Sequence, residues 1–294
     1  MKPTLLLFFI VVTTMAQAQS FDDLRRQIES RLSEEKGTYA VAVMDLSSAR
    51  EILLNEREVF HAASTMKTPV MIEVFRQASA GRFSLEDSLA VRNEFKSIVD
   101  GSPYAMDIGQ DSDDSMYSLL GRKATVRALV VQMITVSSNL ATNLLIDLVG
   151  ADSVTSTMRA LGAADIQVLR GVEDTKAFQK GLNNTTTAYD LMVIMAALAQ
   201  GRAGDSASSA EMLEILSQQK FRDKIPSLLP EGTRVAHKTG SITGVEHDSG
   251  IVFVPDGRSF VIVVLSKEIG DTGKTQRAFG EVSRMVYDVL AHER

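Results

Sequence analysis

Phe21, Leu24, Ile28 and Leu32 recur at helical spacing among charged neighbours, and Phe279, Val282, Val286 and Leu290 repeat the pattern near the other end. Apolar positions three and four apart form one stripe along a helix, so both ends are predicted to be amphipathic helices. A strand-like apolar run over 39–46, the turn Ser47-Ser48-Ala49-Arg50 and a short run over 52–54 predict a hairpin. Toward the C-terminus, 234–238, 250–254 and 260–266 read as three more strands, the last two joined by Pro255-Asp256-Gly257. A hairpin at each end of the chain implies a single antiparallel sheet.

The middle has little strand character. Helical periodicity covers 66–78, 125–136, 139–148, 152–161 and 187–199, and the acidic stretch 107–115 reads as an exposed loop. The simplest architecture is an α/β (α+β) lobe built from both chain ends, 19–62 and 205–294, with an all-helical lobe, 63–204, inserted between them. Ligand sites favour the cleft between such lobes.

The extreme N-terminus changes where this fold is expected to reside. Lys2, the apolar run over 5–12 and the small residues of Ala16-Gln17-Ala18 form a signal-peptide pattern over 1–18, with cleavage expected after Ala18. The run is far short of the ~20 residues a membrane-spanning helix needs, so an exported protein, periplasmic or secreted and without an integral membrane segment, is expected. Export permits disulfides, but the chain contains no cysteine, so a packed core alone must hold it together. Its 45% hydrophobic and 23% charged residues suit such a core. A formal charge of −6 argues against nucleic-acid or anionic-membrane partners. The histidines, His61, His237, His247 and His292, are scattered, with no zinc-type spacing, so no metal is expected and His237 and His247 read as ordinary polar residues.

Serine followed three residues later by lysine occurs at Ser33–Lys36, Ser64–Lys67 and Ser217–Lys220. Context separates them. Ser33 and Ser217 sit on solvated faces, whereas Ser64 follows Phe60-His61-Ala62-Ala63 and opens an apolar helix, where main-chain N–H groups favour developing negative charge. The same position also suits a plain helix cap. The three-residue offset puts Lys67 on the face of Ser64, within expected hydrogen-bond reach. A lysine accepts a proton only if its pKa falls, through burial or a second cation. Lys238, in Lys238-Thr239-Gly240-Ser241 directly after a strand, is the candidate second cation. Gly240 is expected to let a substrate lie close to the strand edge, and the N–H groups of Ser64 and Ser241 are candidates for an oxyanion hole. Ser137-Ser138-Asn139 lies between two helical patterns and presents a hydroxyl and an amide together, or else caps a helix.

A Ser-Lys pair, a Ser-x-Asn turn and a Lys-Thr-Gly strand, in this order, resemble the serine β-lactamases and penicillin-binding proteins, and class A β-lactamases most closely. The resemblance spans nearly all of the chain after the signal, including Phe60, the run over 133–145 and the threonines 185–187. It implies that Ser64 is acylated, that Lys67 shares in proton transfer and that Ser137 passes a proton to the leaving nitrogen. It further implies that Asn139 holds a substrate amide and that Lys238 and Thr239 bind a carboxylate. The expected activity is hydrolysis of β-lactams by a monomer without metal or organic cofactor. D,D-peptidase action on peptidoglycan stem peptides and a slowly deacylating penicillin sensor are the alternatives.

The pattern departs from class A where the acyl-enzyme would be hydrolysed. Those enzymes carry Glu-x-x-Leu-Asn, whereas here Glu173 precedes Leu182-Asn183 by nine and ten residues. Glu173 is the nearest candidate base, with a salt bridge to a surface lysine as the competing role. No arginine stands at Asp248-Ser249 beside Gly250, where many class A enzymes carry one for the substrate carboxylate. Tyr104, in a longer connection than usual over 100–120, is a candidate for the cleft rim or a packing residue.

Overall fold

The structure is a computed structural model that describes residues 21–292; the expected signal peptide lies outside the described residues. Helix α1 (Phe21–Ser33) leads into the hairpin β1 (Thr38–Asp45) and β2 (Glu51–Leu54), then β3 (Phe60–His61) and α2 (Lys67–Ser79). The middle of the chain continues through β4 (Ser88–Ala90), β5 (Phe95–Lys96), β6 (Pro103–Tyr104), β7 (Lys123–Thr125), α3 (Val126–Thr135), α4 (Asn139–Val149) and α5 (Ala151–Ala160). After it come α6 (Thr175–Gln179), β8 (Thr185–Thr186), α7 (Ala188–Ala199) and α8 (Ser206–Ser217). Strands β9 (Arg234–Ile242), β10 (Val245–Phe253) and β11 (Ser259–Lys267) and helix α9 (Thr272–His292) complete the chain.

The sheet joins both chain ends, as expected: five antiparallel strands in the order β2-β1-β11-β10-β9. Side chains alternate across a strand, and the two faces bury different partners. In β11, Phe260, Ile262 and Val264 enter one core with Leu24 and Ile28 of α1 and Phe279, Val282 and Val286 of α9. Val261, Val263 and Leu265 point the other way, into a core shared with α2, α3, α4 and α7. Both faces being covered explains why β11 reads as a continuous apolar run. Helix α7, apolar on nearly every side, lies against β1, β10 and β11; a helix hydrophobic all round belongs in an interior.

Three differences from the sequence expectation matter. Strands β9 and β10 extend to Ile242 and from Val245, well past the apolar stretches, because their polar residues His237, Lys238, Glu246, His247 and Asp248 are buried with polar partners. Helix α8 was not expected; it buries Met212, Ile215 and Leu216, apolar positions confined to its second half. The 107–115 stretch is mostly exposed, yet Asp111 turns inward onto the start of α4. Among the described residues no helix is long and apolar enough to cross a membrane.

Candidate active site

Ser64 sits in a 3-10 turn, Ala63–Met66, that leads directly into α2. Ala63 is left-handed, with φ 45°, and its N–H donates to His61 Nδ1 at 3.0 Å. Thr65 Oγ1 donates to Ala62 O at 2.6 Å, so the turn is fixed on both sides of the half-buried serine. The turn packs against the edge strand β9. A Cβ on Gly240 would lie 3.1 Å from Ser64 N and 3.2 Å from Ala63 Cβ, so any side chain there would crowd the nucleophile turn. Ser64, Ser137, Lys224, Thr239 and Ser241 line one cleft of about 160 Å³, with Ser112, Phe221 and Asp223 at its margin. A larger hollow of about 270 Å³, by Arg76, Thr157 and Arg202, contains none of them.

Between α3 and α4 the chain turns through Ser137, whose φ of 61° is unusual for a residue with a side chain. Ser138 caps α4 by accepting from Ala141 N, and Asp111 accepts from Asn139 N at 2.8 Å and Leu140 N at 3.0 Å. These bonds satisfy N–H groups that a helix start leaves open. The junction so fixed meets both buried lysines. Lys67 Nζ donates to Ser137 O at 2.6 Å, Ser137 Oγ at 3.1 Å and Asn139 Oδ1 at 2.8 Å, and Lys238 Nζ donates to the same Ser137 Oγ at 3.1 Å. Ser137 Oγ therefore accepts from two amines and keeps its own proton free to donate. The hydrogen bond expected between Lys67 and the Ser64 hydroxyl is not formed among the described residues; Lys67 turns to the Ser137 junction instead.

Burial brings the Lys67 amine down to about 7, against the opposing pull of Asp111 and Glu173. Lys238 is held well below the ordinary lysine value, first by burial and then by Lys67 and Lys224, with Asp248 opposing. A lysine whose pKa is lowered in this way is better able to accept a proton, as the sequence argument required.

Glu173 faces this cluster from the loop between α5 and α6. Its Oε1 accepts from Asn139 Nδ2 at 3.1 Å and its Oε2 from Asp107 N at 3.1 Å. The competing surface salt bridge is not made: Lys176 pairs with Asp100 at 2.9 Å. Burial raises the Glu173 carboxyl above its ordinary value, and the two hydrogen bonds work against that shift. The Asn139 amide thus spans Lys67 and Glu173.

The loop itself is tied down by side chains reaching to main chain. Asn143 Oδ1 accepts from Val172 N at 2.7 Å, and Asn184 Oδ1 accepts from Leu169 N at 2.8 Å and Arg170 N at 3.1 Å. Tyr104 packs against Phe95 and donates to Val172 O at 3.2 Å, the packing role.

Two residues escaped the sequence reading as site residues. Asp111 holds the α4 start, and Lys224, 1% exposed, lines the cleft with its ammonium 2.5 Å from Glu246 Oε2. Neither lies in a recognisable motif, and only the buried acid opposite Lys224 betrays it. His237 and His247 are polar residues of the interior: His237 Nδ1 lies 3.0 Å from Asp248, and burial pushes His247 down to about 4.

A family model described as the beta-lactamase enzyme family matches residues 23–290. The chain is 26% identical to the extended-spectrum beta-lactamase PER-1 of Pseudomonas aeruginosa over 90% of this chain and 86% of that one. Among solved structures, a beta-lactamase from Sphaerobacter thermophilus superposes with a TM-score of 0.78 at 28% identity, covering 92% of this chain and 97% of that one. PBP-A does so at 0.78 and 27% identity, covering 91% and 96%. With the match running from α1 to α9, and with Ser64, Ser137 and Thr239 lining one cleft, the chain belongs to the beta-lactamase enzyme family.

Proposed function

We propose that the protein is a serine β-lactamase in which Ser64 forms the acyl-enzyme. The observation that carries the reading is the Ser137 hydroxyl placed between two buried amines in a cleft that also holds Ser64. Ser64 Oγ attacks the lactam carbonyl carbon and gives its proton, through Ser137, to the amine of Lys67. The N–H groups of Ser64 and Ser241 take the developing oxyanion, an interaction worth about 3 kcal/mol per donor in comparable sites. The carbon–nitrogen bond breaks as Ser137 delivers a proton to the ring nitrogen, and Lys67 returns to Ser137 the proton it took. Lys238 and Thr239 hold the substrate carboxylate.

Water then attacks the ester carbonyl. Glu173 takes the water proton, the Ser64 oxygen leaves and recovers that proton by way of the Lys67 amine, and the opened acid departs. Asn139 links the two stages by holding Lys67 through its oxygen and Glu173 through its nitrogen. The same reading places the protein outside the cytoplasm as a monomer, with the leader removed after Ala18.

A second reading has one specific support. The chain also resembles PBP-A, a mutant of which is known as an acyl-enzyme complex with penicillin G, and the Glu173 loop lacks the usual spacing. Slow release from Ser64 would then suit a D,D-peptidase or penicillin sensor. A chromogenic cephalosporin separates the two: sustained colour with no lasting adduct supports the lactamase, and a stoichiometric burst with a stable adduct supports the alternative. Ser64→Ala is expected to lose both colour and adduct completely.

A further inference from the structure

Lys224 is among the largest fully buried side chains of the protein, yet it lines the Ser64 cleft beside Thr239 and Ser241. Its ammonium has four partners: Glu246 Oε2 at 2.5 Å, Ser241 Oγ at 2.9 Å, His247 O at 3.3 Å and Gly240 O at 3.5 Å. Glu246 Oε2 also accepts from Ser241 Oγ at 2.8 Å. A hydroxyl has one proton, so Ser241 spends its own on Glu246 and presents none to a ligand. Glu246 is 4% exposed, and β-sheet pairing places it directly opposite Ser241, in register on β10 and β9. The end of the cleft that Lys238 and Thr239 share with Ser241 therefore has a second cation beneath it, whose charge a buried acid cancels. Asp223, an exposed carboxylate, also lines the cleft.

We infer that Lys224, Glu246 and Ser241 form a charge-compensated subsite that sets how strongly the cleft prefers a substrate with an anionic end group over one with a neutral end group. The inference deepens the acylation reading and rests on it. In a dry site a paired cation acts as a dipole and an unpaired one as a full charge, so the acid opposite Lys224 governs the field a substrate carboxylate meets. Lys224 is the specificity-determining residue, and Glu246 is a positioning residue that acts through Lys224 and through the Ser241 proton. Cancelling the acid turns the subsite into an anion trap that also frees the Ser241 hydroxyl to donate. Removing the lysine leaves a buried negative charge that repels an anionic end group.

The test uses one cephalosporin as its free carboxylate and as its methyl ester. The second-order rate of acylation is followed by intact mass on the full chain, and the acid-to-ester rate ratio is the readout. Glu246→Gln is expected to raise the ratio about fivefold, and Lys224→Met to lower it about fivefold. The double variant, which buries no unpaired charge, is expected within about twofold of the parent, as charges screened to an effective dielectric near 20 would give. A merely structural role would slow both compounds alike and leave the ratio unmoved in every variant, which overturns the subsite. Should one single variant fail to fold, the double variant is compared with the other, and the same opposite shift between them is required. If the parent is acylated by neither compound, the acylation reading falls and the subsite with it; acylation with an unmoved ratio overturns the subsite alone.

Discussion

The wall of the cleft that holds Ser64, Lys67, Ser137 and Lys238 is made of a helix start, a helix junction and a strand edge, whereas the wall that holds Glu173 is a loop pinned by amide side chains. In the first wall, position follows from regular geometry. Lys67 opens α2 just beyond the turn of Ser64, Lys238 sits on a strand whose register is fixed by β10, and Ser137 is trapped between α3 and α4. In the second, Glu173 is left-handed at φ 62° and reaches its place because Asn143, Asn184 and Asp174 each take main-chain N–H groups from distant segments. A wall of regular elements holds its spacings fixed, while a pinned loop is free to vary in length as long as its pins hold. The two walls also divide the proposed chemistry, one forming the ester and the other releasing it.

Replacing Lys67 is the strongest way to break the first wall without touching the second. Lys67→Ala is expected to slow acylation by about 10³-fold, the usual worth of a positioned base, measured by the rate of adduct appearance in intact mass. The pH dependence sharpens the same point. With its pKa brought down to about 7, Lys67 is protonated below that pH and unable to accept, so acylation should fall about tenfold per pH unit beneath 7 and level off above it. Release depends instead on Glu173 as a carboxylate, whose pKa burial raises, so release should be lost toward acid pH through a different group from acylation. Separate pH profiles for adduct formation and decay by stopped-flow test this difference.

A smaller effect is expected from loosening the second wall. Asn184→Ala leaves Leu169 N and Arg170 N without the acceptor they share, in a residue 4% exposed. Each buried unsatisfied group costs about 1 to 3 kcal/mol. A loss of about 2 kcal/mol, read as a lower midpoint in urea, should accompany slower release with little change in adduct formation.

The same contrast explains what the sequence conveyed. The antiparallel sheet and both terminal helices were legible because periodicity encodes them, and the Ser64, Lys67, Ser137 and Lys238 set because three short motifs in order carried the family resemblance. Strand ends at Ile242 and Val245 were hidden, since His237, Lys238, Glu246 and Asp248 are polar yet buried, and burial of polar residues depends on partners elsewhere in the chain. Asp111 looked like part of an acidic loop because its carboxylate acts on main-chain N–H groups 28 and 29 residues away. Lys224 was invisible for the same reason: its partner Glu246 lies 22 positions on, and only folding brings them together. Glu173 was found from the resemblance, but its partners were not.

The division of labour between the two walls is tested most directly by intact-mass kinetics of Glu173→Gln with penicillin. The account requires the adduct on Ser64 to form within about tenfold of the parental rate and then to persist at least about 100 times longer. Clearance of that adduct as fast as in the parent would contradict it and return the release step to some other group.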